Sequence, residues 1–220
     1  MPASAIAVLL PSRGRPEALA ESIASLRVCA DQPDRVDVLV AADPDDPATV
    51  AAADACQAAV WIAPQRFGYA NLHQYVNALA KVASAEWLLL WNDDARMLSP
   101  GWDSRIVEAP QGVLWPAHND SPTLNVFPVV HRRVVDLMGH FSLSPHCDSW
   151  VQDVADAVGI QHRVDVHVFH DRYDLTGGHD DQTFREAQAG YRTSDYHSPE
   201  MVALRQRDID ILRTAQEAVQ

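Results

Sequence analysis

Residues 5–26 of the chain read AIAVLLPSRGRPEALAESIASL. The apolar run at 5–10 has the continuous hydrophobicity of a strand that is buried on both faces. Pro16 stands at a favourable first helical position, and Leu19, Ile23 and Leu26 then recur at helical spacing. The stretch therefore predicts a strand, a short polar turn and a helix, which together form the first unit of a parallel sheet.

The same alternation of strands and helices continues through the first half of the chain. Further strands are predicted at 36–42, 60–63 and 86–91, with helices after Asp46-Pro47 and at 69–83. Short links between such elements predict an α/β fold, with a Rossmann-like, doubly wound and mostly parallel sheet flanked by helices.

Polar clusters follow three of these strands, at 12–15, 43–46 and 92–94. Ligands of open α/β sheets bind beyond the carboxyl ends of the strands. We therefore expect the three clusters to converge on one edge of the sheet and to form the functional site.

The second half is less regular. Its predicted strands are 112–117, 125–132 and 164–169, and its predicted helices are 132–139, 150–159 and 199–217. Residues 171–182 contain two adjacent glycines and no apolar period, which predicts a mobile loop that closes over a ligand. No linker divides the chain, so we expect a single domain over 1–220, with a regular half at 1–103 and a second half at 104–220 that ends in a C-terminal helix.

Composition narrows the class of protein. The chain has 220 residues, 47% of them hydrophobic, and 17 basic against 30 acidic side chains give a net charge of −13. This excess of carboxylates argues against a protein that coats nucleic acid or anionic membrane. No apolar run is long enough for a membrane-spanning helix or a signal peptide. Three widely spaced cysteines fit a reducing compartment, so we expect a cytoplasmic protein.

Asn92-Asp93-Asp94 is the most informative motif, because it directly follows the apolar strand 86–91. Adjacent carboxylates at a strand end repel each other, and a divalent cation relieves that repulsion. Mg²⁺ and Mn²⁺ bind one or two carboxylates and complete their shell with water and substrate phosphates. The alternative is a solvated turn capped by these side chains.

The three polar clusters and their flanking elements resemble the family 2 glycosyltransferases of the GT-A fold. The resemblance covers residues 5–103 and rests on AVLLPSRGRPEALAESIASL, on VDVLVAADPDD and on RFGYANLHQYVNALAKVASAEWLLLWNDDARMLSPGW. It implies transfer of a sugar from a nucleotide-diphosphate donor to a hydroxyl acceptor with Mn²⁺ or Mg²⁺. The acceptor is then a small molecule, a glycan or modified nucleic acid, and the charge of −13 argues against the last.

The resemblance also implies roles for individual residues. We expect Pro11, Ser12 and Arg13, at the first strand end, to contact the nucleotide. Asp43 is expected to bind the nucleobase, and Asn92 and Asp93 the ribose or diphosphate. The family's usual Asp-x-Asp motif has Asn92 at its first position here. Asp94 is the expected metal ligand, and His170, late in the chain, is the expected second one. The alternative for His170 is a histidine at a strand end without a ligand role.

Three arginines complete the expected donor site. Arg13 and Arg15 flank Gly14 and suit bidentate contacts with a diphosphate, although exposed loop charges are an equal alternative. The resemblance implies that Arg66 reaches the nucleobase of the donor.

Asp148 is the expected catalytic base for an inverting transfer, because it lies about 50 residues after the metal motif, as the family's late acidic motif does. Its alternative role is the N-cap of the helix 150–159, and Asp153 is a second candidate base.

Other interpretations stay open on the sequence alone. The histidines His162, His167, His170 and His179 suggest a zinc hydrolase, but their spacing matches no zinc motif, and strand alternation puts His167 and His170 on opposite faces. Trp102, Trp115 and Trp150 either stack on a sugar or belong to the core. A nucleotidyltransferase and a non-catalytic nucleotide-sugar-binding module are the alternative functions.

Overall fold

The computed structural model describes residues 4–177, 180–192 and 195–218. The strands in these residues are β1 (Ile6–Pro11), β2 (Val36–Ala42), β3 (Ala59–Ile62), β4 (Trp87–Leu90), β5 (Ala95–Met97), β6 (Val113–His118), β7 (Val129–His131) and β8 (Gln161–His170). The α-helices are α1 (Pro16–Cys29), α2 (Pro47–Ala55), α3 (Leu72–Val82), α4 (Trp102–Val107), α5 (Arg132–Met138), α6 (Cys147–Val158), α7 (Tyr173–Thr176), α8 (Gln182–Arg192) and α9 (Pro199–Glu217).

The strands form one sheet of eight, in the order β3-β2-β1-β4-β7-β6-β8-β5. The first four strands in that order are parallel, with β1 paired to both β2 and β4. Their carboxyl ends therefore lie side by side, as the alternation of the first half predicts. The expected α/β sheet flanked by helices is confirmed.

The other half of the sheet is mixed. Strand β7 runs antiparallel to both β4 and β6, β5 runs antiparallel to β8, and β6 and β8 are parallel. Only Val129–His131 of the predicted strand 125–132 is extended into a strand. The preceding Asn125 is fully buried and donates a hydrogen bond to the carbonyl of Leu114, so a side-chain contact replaces ladder pairing there.

Alternate residues of β1 face two apolar layers, as strand geometry requires. Ile6, Val8 and Leu10 pack on one side in the layer that contains α1. Ala7 and Leu9 pack on the other side, in the layer that contains α3 and α6. Each layer combines residues from both halves of the chain. The single domain over 1–220 stays a prediction.

The three tryptophans considered as sugar platforms are buried. Trp102 and Trp150 are fully inaccessible, and their indole nitrogens donate to the Leu26 carbonyl at 2.9 Å and to Asp208 at 3.0 Å. The guanidinium of Arg163 covers the Trp115 ring, 3.5 Å from its centre. Their core role, rather than sugar stacking, is what the structure supports.

Among the described residues, no helix has both the length and the apolar composition of a membrane-spanning segment.

Candidate active site

A cavity opens at the carboxyl ends of β1, β2 and β4. Ten of the eleven residues expected to bind the donor or the metal, or to be the first-choice catalytic base, line it: Pro11, Ser12, Arg13, Arg15, Asp43, Asn92, Asp93, Asp94, Asp148 and His170. The eleventh, Arg66, lies at its margin, with Nε 3.9 Å from Asp43. The three polar clusters thus converge as the topology predicts.

Arg15 holds together the two adjacent carboxylates at the end of β4. Its Nη1 is 3.0 Å from an oxygen of Asp93 and 3.0 Å from an oxygen of Asp94. Ser12 donates a hydrogen bond of 2.7 Å to the other oxygen of Asp93. The Arg15 guanidinium therefore relieves part of the repulsion between the two carboxylates. The sequence alone suggests a divalent cation for this role.

The two carboxylates differ in how readily they ionise. Burial and the neighbouring charge of Asp94 raise the pKa of Asp93, and Arg15 only partly opposes them. Burial acts on Asp94 in the same direction, but the hydrogen bond and the charge of His170, together with the charge of Arg15, outweigh it and lower the pKa of Asp94. Asp94 is therefore the more strongly anionic of the pair, as a cation ligand must be.

His170 is held between two carboxylates at the end of β8. Its Nε2 lies 3.0 Å from Asp94 and 3.2 Å from the amide nitrogen of Asn92, and its Nδ1 is hydrogen-bonded to Asp120. Burial disfavours the imidazolium, yet the bonds to Asp120 and Asp94 prevail and raise the pKa of His170 to about 9. His167 lies on the opposite, exposed face of β8, as alternation predicts.

Asp94 and His170 suit a cation site with only two protein ligands, rather than a closed cage of protein ligands. No group of three or more His, Cys, Asp or Glu side chains in residues 4–177, 180–192 and 195–218 is arranged to hold a metal ion. Mg²⁺ and Mn²⁺, however, need only one or two protein ligands when phosphate and water complete the shell. Asp94 and the Nε2 atom of His170 lie close together on the cavity wall and supply two such ligands.

Asp43 forms a separate polar site at the end of β2. It accepts a hydrogen bond of 2.9 Å from Arg13, which also pairs with Asp45. The hydroxyl of Tyr75, on α3, donates to the other oxygen of Asp43 and accepts from the backbone N–H groups of Phe67 and Gly68. Burial and the bond to Asp43 raise the pKa of Tyr75 to about 12, so this donor stays protonated.

Asp148 lies half-buried on the cavity wall, in the first turn of α6. The N-cap of that helix is His146, so the capping role considered for Asp148 is wrong. Burial raises the pKa of Asp148. The second candidate base, Asp153, instead binds the Tyr196 hydroxyl at 2.7 Å and lies 3.4 Å from Arg205.

A C-terminal segment covers the cavity. Asp181 pairs with Arg15, Thr183 donates to the carbonyl of Arg13 at 3.1 Å, and Glu186 of α8 pairs with Arg66. Arg13, Arg15 and Arg66 are therefore all engaged by acidic side chains, rather than being free loop charges.

The predicted loop 171–182 differs from the structure in part. It contains the short helix α7, and its end at Asp181 contacts Arg15. Residues 178 and 179 lie outside the described residues, so His179 of the zinc interpretation does too.

Sequence reasoning missed five side chains of this site: Tyr75, Asn119, Asp120, Asp181 and Glu186. Two local signals for them were available. Asn119-Asp120 follows a predicted strand, as the other polar clusters do, and Tyr75 lies beside Val76 on the apolar face of its helix.

Comparison with known proteins gives structural but not sequence relatives. No family model matches the chain, and no curated protein does. Among solved structures, the mannosyltransferase PcManGT from Pyrobaculum calidifontis, in complex with GDP-Man and Mn²⁺, aligns with TM-score 0.61 and 12% identity over 98% of this chain and 76% of that one.

Two further structures are similar. S. aureus TarS 1-349 aligns with TM-score 0.61 and 14% identity over 98% of this chain and 91% of TarS 1-349. Glucosyl-3-phosphoglycerate synthase from Mycobacterium tuberculosis, in complex with Mg²⁺ and UDP, aligns with TM-score 0.58 and 16% identity over 86% and 78%. This chain has the GT-A fold. The cavity described above therefore belongs to a GT-A fold, and the fold expected from the resemblance is confirmed.

Proposed function

We propose that the chain is a glycosyltransferase that moves a sugar from a nucleotide-diphosphate donor to a hydroxyl acceptor. The observation that carries the proposal is the cavity itself, in which Asp43, the Asp94–His170 pair and Asp148 face one space. Such a transfer needs three things: a site that binds the nucleobase, a site that binds the cation, and a general base that takes the proton of the acceptor hydroxyl.

The donor half, residues 1–103, supplies the nucleotide contacts in this proposal. Asp43, held by Tyr75 and Arg13, accepts hydrogen bonds from the base, and Arg66 lies beside it. Pro11, Ser12, Asn92 and Asp93 line the wall between the base site and the cation site, where ribose and diphosphate would lie. The solved GT-A structures that bind GDP-Man, UDP or UDP-GlcNAc support a nucleotide-sugar ligand of this kind.

Asp94 and His170 would hold Mn²⁺ or Mg²⁺. A bound divalent cation supplies charge stabilisation for the diphosphate that leaves. Arg15 adds a permanent positive charge next to the same carboxylates and is paired with Asp181 of the covering segment. Exchange of Asp181 for diphosphate oxygens would let Arg15 stabilise the leaving group directly.

Asp148 is the proposed base. Its carboxylate lies on the cavity wall that residues 104–220 contribute, and there it takes a proton from the acceptor hydroxyl. Its raised pKa makes it a better proton acceptor than an ordinary aspartate. Attack by the activated hydroxyl opposite the leaving diphosphate inverts the anomeric centre, so the proposal predicts an inverting enzyme. The acceptor is a hydroxyl compound, a small molecule or a glycan.

We also propose a reducing, cytoplasmic setting, which is supported by the free thiols of Cys29, Cys56 and Cys147.

The proposal is tested by incubating the protein with UDP-, GDP- and dTDP-sugars and Mn²⁺ and by analysing the products. Release of the nucleoside diphosphate, with the sugar on water or on an acceptor, supports a glycosyltransferase. Consumption of a nucleoside triphosphate with pyrophosphate release would instead show a nucleotidyltransferase. Tight donor binding without turnover would show a binding module.

A nucleotidyltransferase is expected to place a lysine near the phosphates, but no lysine lines the described cavity. Lys81, the one lysine of the chain, is exposed on α3 and does not line the cavity. Phosphate contacts would therefore depend on arginines, which the glycosyltransferase proposal uses equally.

A further inference from the structure

The short segment Asn119-Asp120, directly after β6, contacts His170 at both its backbone and its side chain. The Asn119 side chain accepts a hydrogen bond of 2.7 Å from the His170 backbone N–H and donates one of 3.0 Å to the His170 carbonyl. The Asp120 carboxylate contacts Nδ1 of the His170 ring. This backbone clamp and this side-chain contact fix both the position and the rotation of the ring.

The contact at Nδ1 decides which ring nitrogen is available on the cavity side. Asp120 is almost fully buried, with 3% of its side chain exposed, and a buried carboxylate needs hydrogen-bond donors. With the Nδ1 proton shared with Asp120, Nε2 is the atom that faces Asp94, 3.0 Å away. A cation that binds at Nε2 takes the place of the proton that His170, with its raised pKa, otherwise carries there. The bound imidazole is then neutral, with its one N–H at Nδ1 beside Asp120 and its lone pair at Nε2.

We propose that Asp120 is a positioning residue, which holds His170 in the Nδ1–H tautomer with Nε2 presented beside Asp94 as a cation ligand. The inference rests on the proposed function, since it assigns the residue that prepares its cation site. Carboxylates that orient metal-binding histidines in this way typically contribute about 10- to 100-fold to metal affinity.

Asp120 has a second contact that gives it a fixed orientation. Its other oxygen lies 3.2 Å from Nη1 of Arg172, which also lines the cavity. Arg172 in turn pairs with Asp174 at 2.6 Å, so it keeps a carboxylate partner when Asp120 is replaced. Removal of the Asp120 carboxylate therefore acts mainly on His170.

The test compares Asp120→Ala and Asp120→Asn with a matched control on β8, the strand that carries His170. Asp165→Ala removes an exposed carboxylate that lies 3.3 Å from Nε2 of His167, on the outer face of β8. It thus breaks a second aspartate–histidine pair that does not face the cavity. Asp120→Asn keeps an oxygen that accepts from Nδ1–H, so it reports whether the acceptor is what positions the ring.

Two measurements that need no turnover are made. Mn²⁺ binding is followed by EPR, with the metal alone and with UDP or GDP. The tautomer of His170 is read from long-range ¹H–¹⁵N NMR correlations with Mg²⁺ and the same nucleotides, and its signals are assigned by their absence in His170→Gln.

The expected results are specific. With Mg²⁺ and nucleotide bound, wild type and Asp165→Ala show the Nδ1–H tautomer, and the two proteins have the same Mn²⁺ affinity. Asp120→Ala loses the single tautomer and binds Mn²⁺ about 10- to 100-fold more weakly, whereas Asp120→Asn retains the tautomer and most of the affinity. In a His170→Gln background, Asp120→Ala has no further effect on Mn²⁺ binding.

Wild-type tautomer and affinity in a folded Asp120→Ala protein would overturn the positioning role and leave the glycosyltransferase proposal intact. A further loss of affinity on adding Asp120→Ala to His170→Gln would also overturn it, because Asp120 would then act by another route. Wild-type protein that binds no Mn²⁺ under any of these conditions would overturn this inference and the cation part of the proposed function together, while sugar transfer stays separately measurable.

Discussion

Two carboxylate sites lie at the ends of the two strands that flank β1, and an arginine of the β1–α1 turn neutralises each of them. Arg13 pairs with Asp43 at the end of β2, and Arg15 pairs with Asp93 and Asp94 at the end of β4. Their remaining partners differ. Asp43 faces a tyrosine hydroxyl, and Asp94 faces an imidazole nitrogen.

The difference teaches that one strand-end pattern can serve the two chemistries of the proposed function. A hydroxyl and guanidinium around Asp43 make a hydrogen-bonding site, which suits recognition of a neutral base. An imidazole nitrogen beside Asp94 makes a mixed nitrogen and oxygen ligand set, which suits a cation. In the proposed function, the group that faces each carboxylate besides its arginine, Tyr75 or His170, sets the role of the site.

The largest expected effect separates the two sites by their metal dependence. Asp94→Ala should abolish the Mn²⁺-dependent part of donor binding, because it removes the anionic cation ligand while leaving Asp43 in place. Asp43→Asn should weaken donor binding equally with and without Mn²⁺. Isothermal calorimetry with UDP- and GDP-sugars, in the presence and absence of Mn²⁺, measures both. Unchanged Mn²⁺ dependence in Asp94→Ala would remove this residue from the cation site.

The next effect concerns Asp148, which belongs to neither carboxylate site. Asp148→Asn should keep donor affinity and reduce the rate of transfer by about 10²- to 10⁴-fold, the usual contribution of a general base. Asp153→Asn is the control, since Asp153 binds Tyr196 instead of lining the cavity. Full activity in Asp148→Asn would show that another group takes the proton.

The pH profile of the wild type checks the same assignment. Asp148 acts only when ionised, and its raised pKa moves loss of the ionised form to a higher pH than for a free aspartate, whose pKa is about 4. Transfer should therefore fall about tenfold per pH unit on the acid side, starting above that value. Asp148→Asn should lack this acid limb.

Stability distinguishes the two arginines. Arg15 is 11% exposed and serves two buried carboxylates, so Arg15→Gln should cost about 3 kcal/mol of unfolding free energy. Arg13 is 27% exposed, its partner Asp45 is exposed, and its buried partner Asp43 keeps Tyr75 and Arg66, so Arg13→Gln should cost about 1 kcal/mol. Urea unfolding of the two variants measures the difference. Equal losses would contradict the greater burial of the Arg15 site.

Local pattern explains why the first half of the fold is predictable. Observed β1, α1, β2 and β4 agree with the predicted bounds to within about two residues, because each has its own apolar run or helical period. The parallel pairing of β1 with β2 and β4 then places Ser12, Asp43 and Asp93 on one edge.

Elements that depend on distant partners escape such reasoning. Strand β5 has only three residues and exists through its pairing with β8, more than 70 positions along the chain. Helix α4 follows Gly101, whose positive φ of 68° starts the turn, and its Trp102 is buried by packing. Asp120 meets His170 across 50 positions, so no local spacing reports the contact.

The last expected effect tests the Tyr75 hydroxyl, which donates to Asp43. Tyr75→Phe removes one donor to Asp43 and leaves the N–H groups of Phe67 and Gly68 without their shared acceptor. The loss should be about 1–3 kcal/mol of unfolding free energy. Donor affinity should fall with Mn²⁺ present or absent, in contrast to Asp94→Ala. The Tyr75 hydroxyl contacts Asp43, Phe67 and Gly68, on the proposed nucleobase side of the cavity. A change confined to Mn²⁺ affinity would therefore mean that the two carboxylate sites are coupled rather than separate.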